Sequence, residues 1–331
     1  MDALFSRRVH FVVGKGGVGK TTVSVALALM AVRHGRRTLL IELEAGGRAG
    51  SLLDLSQPAT YAAHLSPAGV WTIAVDGRSS LEEYLGLIIP ARRVLKAVLH
   101  SKVYQYFVAA APGLKELMAV GKVWYEAERR GDDGQRQWDV VIVDAPATGH
   151  SLQYLRMPRA ARDTFGPGLV KREAARIHAL LESSKETAVH LVTTAEEMPV
   201  TETIEAYTTL ASDLRVPLGL LVVNRLHHGA APDALVDRLR EGAAVLPAAD
   251  ARVALAVARR ATEENAWAAI NRAQLERLRV AVPLPTIVLP MVFAREFGPD
   301  DVAALSQLVD GQCAGQPGAA QPPLGRGHDP R

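Results

Sequence analysis

Gly14-Lys15-Gly16-Gly17-Val18-Gly19-Lys20-Thr21-Thr22 decides how the rest of the chain is read. The stretch fits G-x-x-x-x-G-K-[ST], the phosphate-binding loop, a reading that needs a strand before it and a helix after it. Val9, Phe11, Val12 and Val13 form a short apolar run that predicts a buried strand. Thr22 to Val32 is apolar almost throughout and ends at Gly35, which predicts a buried helix with a C-terminal glycine. Strand, glycine-rich turn and helix start together aim backbone N–H groups and the helix dipole at a polyphosphate. Gly14, Gly16, Gly17 and Gly19, with Val18 among them, let the backbone turn tightly and approach phosphate oxygens. The spacing assigns Lys20 to the β- and γ-phosphates and the Thr21 hydroxyl to Mg²⁺, with Thr22 completing the contact set. A chance glycine-rich turn would need neither flanking element, so the stretch reads as a nucleotide site.

Composition sets the bounds. The 331 residues are 48% hydrophobic, enough for one large domain or a domain with insertions. A net charge of +3 is far short of a nucleic-acid footprint, and no like-charge run forms an arm, so no nucleic-acid partner is expected. The start, MDALFSRRVHF, leads straight into the first strand and leaves no room for a signal peptide. No uncharged apolar stretch is long enough to span a bilayer. A single cysteine, Cys313, excludes an internal disulfide and a multi-cysteine metal site. A soluble cytoplasmic protein is the expectation.

Alternating strand and helix patterns predict a doubly wound, mostly parallel α/β sheet. Arg37 to Leu43 is a second strand, followed by the acidic, glycine-rich Glu42-Leu43-Glu44-Ala45-Gly46-Gly47-Arg48. Ligands sit at the carboxyl ends of such strands, so a carboxylate here can orient water or hold the metal's shell. A flexible loop with solvated glutamates is the competing reading. Val70 to Val75 is a third strand, and Ser79 to Arg130 is a helical insertion with three amphipathic stripes. The stripes form either a groove for an apolar client or packing for each other and a partner subunit. Trp138 to Asp144 is an apolar strand ending in aspartate, the Walker B pattern, with Asp144 on the Mg²⁺ shell. Ala145-Pro146-Ala147-Thr148-Gly149-His150 continues it as a loop able to sense the γ-phosphate, with a structural or interface role for His150. Ala188–Thr193 and Leu218–Val223 are further strands, and Asn224 follows the second, where its amide can bond the adenine edge. His227-His228 is too isolated to argue a metal site, and Ala231 to Arg279 is helical. Pro285 to Pro290 is a last strand, with Pro290 and the following Met291-Val292-Phe293 at the base pocket. The predicted organisation is one domain over 1–310, an insertion at about 79–130 and a disordered Gly/Pro-rich tail over 311–331.

Lys15 adds a second lysine to the loop, and K-G-G-V-G-K-T resembles the deviant Walker A motif. Together with VDAPATGHSLQYLRMP, Asn224 after a strand and a late strand ending in Leu-Pro, it resembles the arsenite-pump (ArsA) ATPase family, which includes the ATPase that targets tail-anchored membrane proteins. The likeness runs from about Val9 to Val309, and D-x-x-x-T-G-H is its most specific part. It implies a P-loop NTPase fold of the SIMIBI type and a homodimer, or a heterodimer with a paralogue, closing over two ATP molecules. It implies that Lys15 reaches the partner's nucleotide, that Lys20 and Thr21 hold phosphate and Mg²⁺, that Asp144 starts switch II and that Asn224 reads adenine. A lysine supplied across an interface makes hydrolysis conditional on assembly.

The chain departs from the family at three points. Glu44-Ala45-Gly46-Gly47 stands where the family's switch I reads D-P-A-H, so Glu44 takes the place of the aspartate that helps activate water. The arsenite-binding cysteines are missing, and so are the paired zinc cysteines of the tail-anchor branch. The leading expectation is a dimeric, Mg²⁺-dependent ATPase switch that moves its helical insertion, with a membrane-protein client or membrane partner. The alternative is an ATP-binding regulatory subunit with weak hydrolysis beside an active paralogue. A partitioning or septum-positioning ATPase would call for a membrane helix or a basic DNA face, and a nitrogenase-like reductase for paired cysteines.

Overall fold

The computed structural model describes residues 4–43, 48–111 and 113–315. β1 (Val9–Gly14) enters the glycine-rich loop and α1 (Lys20–Arg33) leaves it, two residues earlier than the apolar run alone predicts. β2 (Thr38–Leu43), the short α2 (Ala49–Leu52), β3 (His64–Leu65) and β4 (Trp71–Val75) follow. Next come α3 (Gly77–Ile88), α4 (Arg92–His100), α5 (Lys102–Ala110) and α6 (Leu114–Glu128). β5 (Val140–Ala147) leads into α7 (Thr148–Thr164) and α8 (Leu169–Glu182). β6 (Thr187–Thr194), α9 (Glu197–Thr208) and β7 (Leu218–Leu226) come next. α10 (Asp233–Ala243), α11 (Ala248–Ala281), β8 (Thr286–Pro290) and α12 (Pro299–Gly315) complete the order.

Among the described residues the strands form one sheet in the order β3-β4-β2-β5-β1-β6-β7-β8. The pairings are parallel except that of β3 with β4. β1 lies between β5 and β6, where the chain order reverses, so the crevice at its carboxyl end is the expected ligand position of a doubly wound sheet. β1, β2 and β6 are buried along their whole length, which is why they read as continuous apolar runs rather than alternating ones. Neighbouring residues still point to opposite faces. Phe11, Ile41, Val143 and Leu191 enter a core shared with Val120 of α6, Leu155 of α7 and Leu181 of α8. Val12, Leu40, Ile142 and Val192 enter a second core with Leu27 of α1 and Leu305 of α12. The fold is the predicted α/β sandwich.

One polar link crosses this apolar sheet. The backbone N–H of Leu220 donates to His190 Nδ1 at 2.9 Å, which leaves the His190 proton on Nε2. That proton is donated to His10 Nδ1 at 3.0 Å, and His10 Nε2 donates in turn to the Arg7 carbonyl at 3.0 Å. Both rings are fully buried, and burial lowers both imidazole pKa values, that of His10 to about 4. The pair is therefore neutral, with one tautomer fixed at each ring.

Three points differ from the sequence reading. The insertion holds four helices rather than three, because the chain breaks at Ser101, whose hydroxyl accepts from the Tyr104 N–H and starts α5. α6 is not confined to the insertion, since Leu117, Val120 and Val123 belong to the main core. The tail begins later than residue 311. α12 continues to Gly315, and Gln312 accepts from the Val288 N–H and donates to its carbonyl, pinning the helix end to the edge strand β8. Residues 316–331 lie outside the described residues.

Candidate nucleotide site

The loop follows from the close approach of β1 to β6 and from the turn that starts α1. A Cβ on Gly14 would lie 2.1 Å from the Val192 carbonyl oxygen, so only glycine fits there. Gly19 sits at φ 92° with no side-chain cap on α1, leaving first-turn N–H groups directed at the site. A Cβ there would also meet Asn224 Nδ2 at 2.2 Å.

The polar groups converge as the spacing predicts. Thr21 Oγ1 donates to Asp144 Oδ2 at 2.6 Å, and Ser24 Oγ donates to Oδ1 at 3.0 Å. Asp144 stands near the end of β5, buried, and burial pushes its carboxyl up against the opposing pull of the two hydroxyls and Lys20. Lys20 Nζ donates to the Lys15 carbonyl at 3.1 Å, and burial lowers its pKa while Asp144 raises it. A buried carboxylate with a hydroxyl beside it is the usual protein share of a Mg²⁺ site, in which phosphates and water supply the other ligands. Among the described residues no group of three or more His, Cys, Asp or Glu side chains can hold a metal, so a cation here would depend on the nucleotide.

Of the two glutamates in the acidic stretch at the end of the second strand, the structure describes Glu42, which sequence reasoning did not single out. Glu42 pairs with Asp144 in the β2–β5 register, is 2% exposed, and accepts from the Ala49 N–H at the start of α2 at 3.1 Å. Its carboxyl is raised, first by burial and then by the nearby Asp144 charge, against the Ala49 bond. The available signal was a charged residue inside the apolar run Leu39-Leu40-Ile41-Glu42-Leu43. Glu44, the expected switch I residue, lies outside the described residues.

Lys15 does not point into open solvent. Its Nζ pairs with Glu202 Oε1 of α9 at 2.5 Å. On the other side of the loop, Asn224 Nδ2 donates to the Val18 carbonyl at 2.9 Å. Arg225, in the left-handed region at φ 56°, donates to the Gly17 carbonyl at 3.0 Å. Thr22, Asn224, Arg225, Pro290, Met291, Val292 and Phe297 line a pocket of about 180 Å³ beside the loop. Met291 and Val292, which the sequence reading put at a base pocket, line this one. Phe293 does not: it is 75% exposed and sits edge-on to His227, and Phe297 supplies the aromatic wall instead. His227 pairs with Glu264 at 2.8 Å and stacks on Trp267, a structural arrangement rather than a metal site.

Residues 7–171 match the family model described as anion-transporting ATPase. The chain is 33% identical over 222 residues to ATPase BagA of Mycobacterium tuberculosis, an alignment covering 66% of this chain and 65% of that protein. It is 25% identical over 258 residues to an arsenical pump-driving ATPase of Escherichia coli, covering 72% of this chain and 44% of that one. An arsenical pump-driving ATPase of Acidiphilium multivorum aligns with the same identity and coverage. The chain thus spans less than two thirds of the length of these relatives.

Proposed function

We propose, from the premise that residues 7–171 are an anion-transporting ATPase domain, that the chain binds and hydrolyses Mg²⁺–ATP as a dimeric switch. The observation that carries this reading is the convergence of Thr21, Ser24 and Lys20 on the buried Asp144 in the carboxyl half of β5. The first-turn N–H groups of α1 and the Lys20 ammonium hold the β- and γ-phosphates, while Thr21 and Asp144 position the metal and its water shell. Mg²⁺, when bound, would supply positive charge that offsets the charge developing on the phosphates. Asn224 and the wall of Pro290, Met291 and Phe297 receive the base.

In this reading Lys15 leaves Glu202 and crosses to the nucleotide of a second subunit, so that hydrolysis waits on assembly. β5 runs directly into α7, and α7 packs on α6, so a change at Asp144 on loss of the γ-phosphate is transmitted to the helical region. That region is the proposed face for a client or membrane partner. Among the described residues no helix is long and apolar enough to cross a membrane. The absence of the family's switch I aspartate favours one second reading, an ATP-holding subunit that hydrolyses slowly beside a paralogue. Steady-state turnover of the purified chain against its own concentration, beside Lys15→Ala, separates the two. Turnover that rises with concentration and collapses in the variant supports the self-sufficient dimer. ATP binding without turnover at any concentration overturns it and leaves the regulatory subunit.

A further inference from the structure

The helical insertion carries a long stretch of one-sided charge. Residues 84–115 hold Arg92, Arg93, Lys96, Lys102 and Lys115 and no Asp or Glu, in a chain with 35 acidic residues overall. The cations are spread among apolar residues rather than gathered in a run. α4 lies within this stretch and has no buried residue. Its inner edge, Val98 and Leu99, rests on the small cluster of Leu81, Tyr104 and Val108. Arg92, Lys96 and His100 recur every four residues along its outer face, with Arg93 beside them, and all are exposed.

The subunit does little to answer that charge. Among the described residues Arg92, Arg93, Lys96 and Lys102 form no ion pair, and the acids on the adjoining α3 are taken. Glu82 pairs with Arg78 at 3.0 Å, and Glu83 pairs with Lys122 at 2.8 Å. Like charges four apart destabilise a helix, so Arg92 and Lys96 repel each other with no acid to relieve them. Exposed aliphatic side chains border the basic face. Val94 is 53% exposed, and Leu87 and Ile88, at the end of α3, are 62% and 43% exposed. A nucleic acid would meet the cations and leave these side chains in water. A lipid surface meets both, with anionic head groups for the cations and the acyl boundary for the aliphatic groups.

We infer that α4 and the end of α3 dock the protein on an anionic lipid surface, Arg92, Arg93 and Lys96 at the head groups and Leu87, Ile88 and Val94 at the acyl boundary. α4 has nine residues, about 13 Å of helix, so it lies on the surface and does not cross it. The inference rests on the membrane-partner reading given above and names that partner as the lipid itself. It is tested without nucleotide, so failure to bind lipid leaves ATP turnover standing, and a chain that binds lipid without turning over ATP fails only the ATPase reading.

The experiment floats the full chain with vesicles of phosphatidylcholine alone and with vesicles in which about one lipid in three is phosphatidylglycerol. The expected result is binding at least tenfold tighter to the anionic vesicles, weakening as salt is raised. Each Lys or Arg near such a surface contributes about fivefold, so Arg92→Ala with Arg93→Ala and Lys96→Ala should weaken binding on the order of a hundredfold. Leu87→Ser with Ile88→Ser should weaken it about tenfold, a loss that persists at high salt. The replaced side chains are exposed, circular dichroism melting checks that each variant folds, and either variant decides the matter if the other does not. The proposal is overturned if the chain does not float with anionic vesicles, if it binds both vesicles equally, or if the triple alanine variant binds as before. Binding of a DNA duplex that the triple variant loses, with no flotation, would assign the face to a soluble polyanion instead.

Discussion

Lys15 and Glu202 form an ion pair across 187 residues, so the extra lysine of the nucleotide loop is held within its own subunit by a carboxylate on α9. Both side chains are about one-third exposed, at 29% and 36%, and pairs of that kind contribute roughly 0.2–1 kcal/mol. A clasp this weak biases the lysine without trapping it. If Lys15 acts across a dimer, Glu202→Ala should raise turnover at low protein concentration by about two- to fivefold and leave the saturating rate unchanged. Turnover measured across a concentration series checks this, and an unchanged curve would remove Glu202 from the switch.

Asp144 is the residue at which stability and activity pull apart. Burial raises its carboxyl, so the ionised form costs the empty protein stability as pH rises through that raised value. Asp144→Asn should therefore raise the unfolding temperature of the nucleotide-free chain near neutral pH. The same change removes the carboxylate from the proposed metal shell, where positive charge on the phosphates is worth several kcal/mol, so turnover should drop at least about a hundredfold. Calorimetry without nucleotide, beside a turnover assay, reads both effects. A variant that is less stable and still active would contradict the assignment.

Much of this was legible in the chain because it is local. The loop, the apolar strand that carries Asp144 and the runs buried on both faces each declare themselves within ten residues, although β5 runs on to Ala147 where a loop was expected. What was missed or left unassigned depends on contacts that no local period encodes. The Lys15–Glu202 pair joins distant segments, and Glu42 matters because the β2–β5 register sets it beside Asp144. The choice of Phe297 over Phe293 was made in an irregular loop, where side-chain direction has no period to read. The break between α4 and α5 has neither proline nor glycine; a serine cap does that work.

The His10–His190 relay predicts acid sensitivity of the sheet itself. Both folded-state pKa values lie below the ordinary value of 6.5, so the stability this gives is complete above that pH and is lost as pH falls toward the folded values. For His10, with a value of about 4, the loss is on the order of 3 kcal/mol between pH 6.5 and 4. Urea unfolding at several pH values should show it. His10→Gln combined with His190→Gln should flatten the pH slope while lowering stability at pH 7. Gly219→Ala should destabilise at all pH values by about 1–3 kcal/mol, because its Cβ would come within 2.5 Å of the His190 ring.

Asn224 supplies the last test, on base selection. One N–H of its Nδ2 is held by the Val18 carbonyl, which fixes the amide plane and makes its oxygen the group that can accept from a base. Adenine presents an exocyclic amine donor there, whereas guanine presents a carbonyl that would face the oxygen unpaired. A buried polar group left unsatisfied costs about 1–3 kcal/mol, so ATP should bind roughly five- to a hundredfold tighter than GTP. Asn224→Ala should remove most of that preference. It also frees the Val18 carbonyl and the space against Gly19, so affinity for both nucleotides should fall. Competition binding with the two triphosphates separates these effects: the ratio reports base reading and the common loss reports loop support. A preserved ratio with a common loss would make Asn224 a brace for the loop and place base selection on the wall of Pro290, Met291 and Phe297.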